Sequence, residues 1–518
     1  MKEPTKKLQH LGVFWQHFWI HKRKSDFSWK DIVSVFPLNC PYPVWHHSEW
    51  IENSNPVSAT YDEKIDFWTQ VWELFQKCPI AHNISFWNEN CEYTDDSWYS
   101  KNCYLSHSFL NCEDIRYSYR VVRLKDCYFC VFSFDSSLCI DLIYWFDCYN
   151  VKNAIDVKRC KNSAFLFDCQ DCEDCLLCWN LRNKRYCIAN KEYSQADYEK
   201  EIKKYNLNSK KVYETLKIQF SNFIKNNAWW KAIHFDNIEN SSWDYLENCK
   251  DCENCFSIQN SESNKNVVRA YNITNNEYWF WNMDSENVYF SVMIQDNCYN
   301  IKYSSNIIRS KNIEYCINCQ ECEDCFLCAS LVWKKYHILN KEYKKNDYEI
   351  EKNRIIEDMK KKWNYEEFFP AYFSPTWYDE SISSIYIPLN LEEQKKQWFR
   401  VTQNSYWEKW NFSDIKDLPD NLFETNISKL QETWFWDEDY KRPFQILKDD
   451  IEFYKKLWVP INDKFYIRRI RENFAWMFPN LELRETICAK SWENISTTLP
   501  KQLDWRIVSL KEYEKLIY

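Results

Sequence analysis

Two runs of four cysteines are the part of this sequence with the clearest potential for chemistry. In each run a cysteine recurs at every third position, and C-x-x-C pairs commonly hold zinc or an iron–sulfur cluster. The candidate metal ligands are Cys169, Cys172, Cys175, Cys178, Cys319, Cys322, Cys325 and Cys328. A thiolate site for zinc is therefore one hypothesis for these residues.

The other cysteines around the first run point to a different role. All thirteen cysteines from Cys91 to Cys187 lie at multiples of three residues from one another, although most of them form no ligand pair. Buried cysteine behaves as a small hydrophobic side chain, so a place inside the fold explains the shared phase and metal binding does not. We therefore expect buried structural thiols, no bound metal and no cofactor, with zinc as the first alternative and a ladder of disulfides as the second.

A period of three predicts an unusual β structure. It is neither the 3.6 of an α-helix nor the 2 of a flat strand, and it suits a coil with one side chain per face pointing inward. Such coils stack as parallel strands about 4.8 Å apart, as in a right-handed β-helix, and form a β-solenoid. Cysteines at multiples of twelve residues predict rungs of 12 residues, whereas the bulky inward Phe109 and Leu142 favour rungs of 24.

The cysteine runs also belong to a duplication. The phrase DCQDCEDCLLCW, from Asp168 to Trp179, returns as NCQECEDCFLCA, from Asn318 to Ala329, at an offset of 150 residues. Each half ends in Asn-Lys-Glu-Tyr and continues into a charged segment of helical character. The predicted fold class is therefore mainly β: a duplicated parallel β-solenoid with α-helical inserts and small ribbon-like terminal modules.

This pattern divides the chain into six predicted regions. They are an N-terminal ribbon-like module with a short helix (1–88), the first solenoid half (89–193), a helical insert (194–247), the second solenoid half (248–342), a helix with an extended arm (343–437) and a C-terminal ribbon-like module (438–518). Aromatic side chains off the inward phase should form an outer stripe, which either is covered by the terminal modules or helices or binds a partner; we expect the first. They are Tyr104, Tyr117, Tyr119, Phe129, Phe132 and Tyr144.

Glycine is nearly absent from the chain. There is one glycine against 28 tryptophans, whereas glycine normally supplies roughly 7% of residues because turns and helix ends need positive φ. Several tryptophans stand where glycine is expected, among them Trp179, Trp377, Trp458 and Trp492. We hypothesise that the gene uses UGA for glycine and that these codons have been translated as tryptophan.

Two short segments underlie a resemblance to a known family. With Trp492 read as glycine, the stretch ending at Glu493 is similar to a zinc-ribbon knuckle, C-x-x-C-G-[KE], that keeps Cys488 but has Ser491 in place of the second cysteine. The segment 24–30 is similar to a knuckle without thiols. With its Asn-Cys-rich middle, the chain resembles a family of uncharacterised cysteine-rich bacterial proteins with zinc-ribbon-like ends. A structural zinc needs four ligands, so the ends should be degenerate and free of zinc.

Charge and composition narrow the function classes. The net charge of −9 argues against nucleic-acid binding. No apolar run is long enough to span a bilayer, and the start has no signal-peptide core, so no membrane association is expected. We therefore expect a cytoplasmic protein whose thiols stay reduced.

No set of residues in the sequence predicts catalysis. His107, His234 and His337 are isolated, and acidic pairs such as Asp95-Asp96 are weak indications of action on a polysaccharide. We predict that the chain is not an enzyme but a non-catalytic scaffold or binding protein with an unknown protein partner. The alternatives are a thiolate zinc protein and a β-helix that binds or cleaves polysaccharide.

Overall fold

A computed structural model of the chain describes residues 3–15, 19–53, 56–402, 412–424, 426–476 and 481–517. Strands make up 38% of the structure and helices 27%, which confirms the prediction of a mainly β chain. Parts of the predicted terminal modules and of the arm lie outside the described residues. Within those ranges, every helix is too short or too polar to cross a lipid bilayer.

Two large sheets form the centre of the fold, one from each repeat, with 13 and 11 strands. The strands of the first sheet are Ser85–Phe86, Asp95–Trp98, His107–Leu110, Glu113–Arg116, Tyr119–Val122, Lys125–Tyr128, Val131–Phe134, Ser137–Phe146, Tyr149–Lys158, Lys161–Phe167, Glu173–Trp179, Arg185–Ile188 and Lys191–Glu192. Those of the second sheet are Phe235–Glu239, Trp243–Lys250, Cys255–Glu262, Lys265–Thr274, Glu277–Lys302, Ser305–Ile308, Lys311–Glu314, Ile317–Gln320, Glu323–Phe326, Lys335–Ile338 and Lys341–Glu342.

Parallel pairing joins positions twelve residues apart over most of both sheets. Cys127 lies opposite Cys139, and Cys175 lies opposite Cys187. This offset equals the shorter of the two predicted repeat lengths. Side chains of each sheet form a separate buried cluster, rich in Cys and aliphatic residues, and the cluster of the first sheet includes the bulky Phe109.

The chain changes direction through a left-handed backbone conformation at every third residue. From Trp87 to Ala189, each third residue has φ between 44° and 57°. Asparagine and aspartate adopt this conformation readily, and Asn90 and Asn102 are examples whose side chains also hydrogen-bond to each other across one turn, at 2.9 Å. Two residues that separate consecutive left-handed positions leave one side chain pointing inward, which accounts for the period of three.

The second sheet carries two register shifts that interrupt its period in the sequence. Phe235 pairs with Leu246 at an offset of eleven, and Val292 pairs with Ser305 at an offset of thirteen. The second shift coincides with two consecutive left-handed residues, Asp296 and Asn297. The inward phase therefore changes by one residue there, and the period read from the cysteines returns only afterwards.

Each sheet ends in an antiparallel hairpin and then a helix. The first hairpin turns at Ala189-Asn190 and the second at Leu339-Asn340, both with positive φ at the two turn residues, as two-residue hairpins prefer. The helices are Glu3–Gly12, His47–Asn53, Phe67–Phe75, Gln195–Glu201, Lys210–Asn227, Lys345–Lys361, Ser383–Tyr386, Leu391–Lys396, Ile427–Glu432, Lys448–Leu457, Tyr466–Ala475 and Leu510–Ile517.

Short strands complete the terminal regions. They are His21–Lys24, Asp31–Ser34, Val44–Trp45, Ile80–Ala81, Trp230–Lys231, Ser413–Asp414, Trp434–Asp437, Arg442–Gln445, Arg484–Ile487, Asn494–Thr497 and Ile507–Val508. The first two of these form an antiparallel hairpin, and so do Arg484–Ile487 and Asn494–Thr497. Both hairpins lie where the sequence resembles a zinc-ribbon knuckle.

The two large sheets lie side by side and run in opposite directions. Asp96, early in the first sheet, accepts a hydrogen bond of 3.0 Å from Gln295, late in the second. Lys158, late in the first sheet, lies 3.4 Å from Asp236 at the start of the second. We call this line of contact the seam.

Candidate functional site

The predicted metal ligands all lie inside the two sheets. The eight cysteines of the two runs are buried, and each run occupies the four inward positions of one twelve-residue repeat. Each of these thiols donates a hydrogen bond to the backbone carbonyl two residues earlier, as from Cys178 to Leu176 at 3.3 Å. Cys178 also reaches the carbonyl of Cys187 in the next repeat, at 3.6 Å. The thiols are therefore engaged with the backbone.

Inward thiols and hydroxyls also solve a problem of backbone hydrogen bonding. The ladder uses two of every three N–H groups, and the third belongs to the inward residue. Its N–H is accepted by the inward side chain one repeat earlier, as from Cys160 to the sulfur of Cys148 at 3.4 Å and from Cys130 to the hydroxyl of Ser118 at 3.2 Å. A buried unpaired N–H is costly, so cysteine and serine recur at these positions for a physical reason.

Nothing in the geometry of the described residues assembles a metal site. No group of three or more His, Cys, Asp or Glu side chains there has an arrangement that could hold an ion. Burial raises the pKa of the Cys112 and Cys298 thiols, which lie outside the runs, to about 12. Within the runs, hydrogen bonds from neighbouring thiols lower the pKa of Cys172 and lower that of Cys322 to about 4.

A cavity of about 310 Å³ lies in the seam. Its first wall is a row of apolar side chains from successive strands of the first sheet. This apolar row comprises Trp98, Leu110, Val122, Phe134 and Phe146. The opposite wall comes from the second sheet and is largely polar. This polar row comprises Glu247, Gln259, Tyr271, Met283 and Gln295.

A buried carboxyl group, that of Asp96, lines this cavity. Asp96 accepts hydrogen bonds from the hydroxyl of Ser108 at 2.6 Å and the indole of Trp98 at 3.3 Å, besides that from Gln295. Burial raises the pKa of Asp96 and also that of Glu247 at the end of the polar row. Perturbed carboxyl groups in a cleft are typical of functional sites. The sequence indicated Asp95-Asp96 only as a weak acidic pair.

A second cavity, of about 260 Å³, continues the seam beyond Glu247. Here His234, which the sequence presented as isolated, lies between two carboxylates. Its Nδ1 is 3.0 Å from Asp244 and its Nε2 is 3.5 Å from Asp156. Burial disfavours the imidazolium ion, but these two charges outweigh it and raise the pKa of His234. Both ring nitrogens of His234 therefore face carboxylates.

An arginine without a carboxylate partner sits near the middle of the seam. The Arg269 side chain is completely buried, and its Nε donates to the hydroxyl of Tyr386. Its two terminal nitrogens have no hydrogen-bond acceptor among the described residues. Five aromatic rings surround the guanidinium carbon at 4.8–5.5 Å, from Trp15, Tyr119, Phe132, Tyr386 and Phe474. Cation–π contact thus replaces a counter-ion.

The predicted aromatic stripe of the first sheet is covered, as expected from the sequence. Tyr117, Tyr119, Phe129 and Phe132 are buried, and Tyr104 and Tyr144 are half-buried. The helix Tyr466–Ala475 supplies much of the cover: Phe474 lies 5.6 Å from Phe132, between ring centroids. These aromatics therefore belong to the core that joins the sheets to the C-terminal region.

The two knuckle-like hairpins share one turn geometry. In the first, Ser25 N–H donates to the Lys30 carbonyl and Trp29 N–H donates to the Ser25 carbonyl, both at 2.9 Å. In the second, the same bonds join Cys488 to Glu493 and Trp492 to Cys488, at 2.8 and 3.1 Å. Trp29 and Trp492 both have φ of 61° and are exposed.

Left-handed tryptophan recurs elsewhere on the surface. Seven exposed tryptophans have φ between 53° and 61°: Trp29, Trp87, Trp333, Trp363, Trp398, Trp458 and Trp492. Trp458 ends the helix Lys448–Leu457 in the position where glycine usually stands. Trp377, by contrast, has φ of −84°, so its backbone conformation does not require glycine.

Comparison with known proteins gives little beyond this geometry. No family model matches the chain, and no curated protein matches it. Among solved structures, a crystal structure described as that of a proposed acetyltransferase from Desulfovibrio desulfuricans G20 is 10% identical, with a TM-score of 0.11. The match covers 45% of this chain and 63% of the other, less than two thirds of its length. Such a likeness carries no argument about fold or activity.

Proposed function

We propose that the chain is a non-catalytic binding protein built on two β-solenoids of twelve-residue rungs, with the seam between them as its ligand surface. The observation that carries this proposal is the cavity between the apolar row and the polar row. It combines an apolar wall with a few convergent polar groups, as small-molecule sites do.

The reactive side chains support binding over catalysis. Inward thiols donate to backbone carbonyls, and both nitrogens of His234 face carboxylates. Neither kind of group is free to act as a nucleophile or general base. We place the protein in the cytoplasm, where so many thiols would stay reduced.

A thermal-shift screen of metabolites and glycans tests this proposal. Leu110→Trp should fill the seam cavity, and Ile218→Trp, on the exposed side of the helix Lys210–Asn227, is the matched control. We expect a ligand that raises the unfolding midpoint of the wild type and the control but not of Leu110→Trp, and that is recovered unchanged. Conversion of the ligand to product, or no seam-dependent ligand, contradicts the proposal.

Thiolate metal binding is the second candidate, and one observation favours it. All four cysteines of each run occupy inward positions of a single repeat, so each bore carries a ring of thiols at one level. Protein purified anaerobically without added zinc should be analysed for metal. A stoichiometric metal that is lost in the Cys169→Ser/Cys172→Ser variant would favour this function over the first.

We further propose that the seven exposed left-handed tryptophans are glycines in the native protein, encoded by UGA. Glycine adopts positive φ without steric cost, and the two knuckle turns then match the zinc-ribbon-like pattern of the cysteine-rich bacterial family that the chain resembles. Peptide mass spectrometry of the protein from its native cells decides the matter. Tryptophan at positions 363, 398 and 492 would end the idea.

A further inference from the structure

We infer that the seam cavity takes a neutral oligosaccharide lying along the axis of the two sheets. This inference rests on the proposed binding function and names its ligand class. The apolar row faces the C–H groups of the sugar rings, and the polar row faces their hydroxyls.

The walls of the cavity repeat along its length. Leu110, Val122, Phe134 and Phe146 lie opposite one another on consecutive strands, so the spacing follows the strand separation of about 4.8 Å. The ring centroids of Phe134 and Phe146 are 4.9 Å apart. A surface with this repeat suits a ligand that itself repeats at a comparable spacing, as an extended chain of hexose units does.

One buried acceptor in the cavity has no donor. Gln295 is 2% exposed, its amide nitrogen donates to Asp96, and its amide oxygen has no hydrogen-bond partner among the described residues. Leaving a buried amide oxygen unpaired costs free energy. A ligand hydroxyl would satisfy it, and a purely apolar ligand would not.

The charged groups around the cavity already have hydrogen-bond partners within the protein, including Arg120, which donates to the Ser257 carbonyl at 3.3 Å. Asp96 accepts from Ser108 and Gln295, Glu247 accepts from Gln259 at 2.9 Å, and Arg123 pairs with Asp135. The site therefore makes no demand for an ionic ligand, which favours a neutral one.

An extended peptide fits the seam less well. The strands that form the walls, such as Tyr119–Val122 and Cys255–Glu262, are paired on both sides. They leave no free edge for the main-chain pairing by which extended peptides bind. Recognition in the seam must come from side chains, as it does for sugars.

Binding of three neutral hexasaccharides to the full chain tests the inference. The probes are β-1,4-linked glucose, β-1,4-linked N-acetylglucosamine and β-1,3-linked glucose, measured by calorimetry. We expect at least one to bind, and Gln295→Leu to weaken it by at least about tenfold, because a site built to pair a hydroxyl loses that pairing. Gln320→Leu is the matched control, since Gln320 is also buried with an unpartnered amide oxygen but does not line this cavity.

Two outcomes overturn the inference, and a second probe separates it from the proposed function. Failure of all three hexasaccharides, or equal weakening by Gln295→Leu and Gln320→Leu, refutes the ligand class. The dye 8-anilinonaphthalene-1-sulfonate is titrated in parallel into wild type and Leu110→Trp. If the dye binds in a Leu110→Trp-sensitive manner while the sugars fail, the seam binds ligands and only the class is wrong; if neither binds, the proposed function fails as well.

Discussion

Replacing exposed left-handed tryptophans by glycine should stabilise the protein. Trp363, Trp398 and Trp492 are the clearest cases, because their side chains are 89%, 82% and 80% exposed and their φ angles are 58°, 60° and 61°. The first two follow helices directly, donating to Lys360 and Lys395 carbonyls. Glycine is strongly preferred at such positions.

The size of the expected stabilisation is set by backbone strain and not by side-chain packing. The left-handed conformation costs a non-glycine residue about 1 kcal/mol or more in the folded state. Glycine removes this cost, but its greater conformational freedom in the unfolded chain offsets part of the gain. Because the three indoles are largely in solvent, little packing is lost. We expect about 1 kcal/mol per site, and about 3 kcal/mol for the triple variant if distant sites add.

Urea unfolding followed by circular dichroism measures the effect. The triple glycine variant should have a higher midpoint with an unchanged slope. The triple alanine variant is the control, since it removes the same indoles but keeps the β-carbon that clashes at positive φ. A glycine variant no more stable than the alanine variant would refute the reasoning, and Trp50→Gly, buried within a helix, should destabilise in any case.

Three further outcomes follow from the buried groups. Arg269→Met should lower the free energy of unfolding in urea by less than about 1 kcal/mol, because the charge has no counter-ion, whereas Arg269→Ala should lower it by about 3 kcal/mol because it leaves a cavity. Equal losses would contradict the role of the five aromatic rings as the packing partners of this side chain. The folded-state pKa of His234 is raised, so its contribution is complete below its unfolded pKa of about 6.5 and is lost as pH rises through the folded value. The stability difference between wild type and His234→Gln should therefore shrink from pH 5 to pH 9, and a constant difference would contradict stabilisation by the two carboxylates. Cys148→Ser should be nearly neutral and Cys148→Val should cost about 1–3 kcal/mol, because only serine still accepts the N–H of Cys160; equal stabilities would refute this role.

The inward positions could be predicted from the sequence, and the seam could not. A thiol at every third residue is a local signal, because each of these side chains hydrogen-bonds within its own repeat and to the next one. The left-handed corners could be predicted only in part. Asparagine and aspartate indicate such a conformation, but tyrosine and arginine, which occupy equivalent corners at Tyr117 and Arg120, do not. The shift at Asp296-Asn297 is a single added residue, which breaks the period without changing the composition.

The functional candidates depend on contacts with no local signal. Asp96 and Gln295 meet because the two sheets pack in opposite directions, and nothing near either residue encodes that packing. His234 and Asp244 are close in sequence, but a histidine near an acid is too common a pattern to single out. What distinguishes Asp96 from other acidic residues is its burial, which the sequence around it does not encode.

Duplication within one chain has a consequence for the chemistry of the seam. Phe146 and Gln295 hold the same position in the two repeats, each just before the corner that leads to Cys148 or Cys298. Two separate copies meeting about a twofold axis would present identical residues on both sides. In a single polypeptide the two sides can change independently, so one gene can encode a cleft with one hydrophobic wall and one hydrophilic wall.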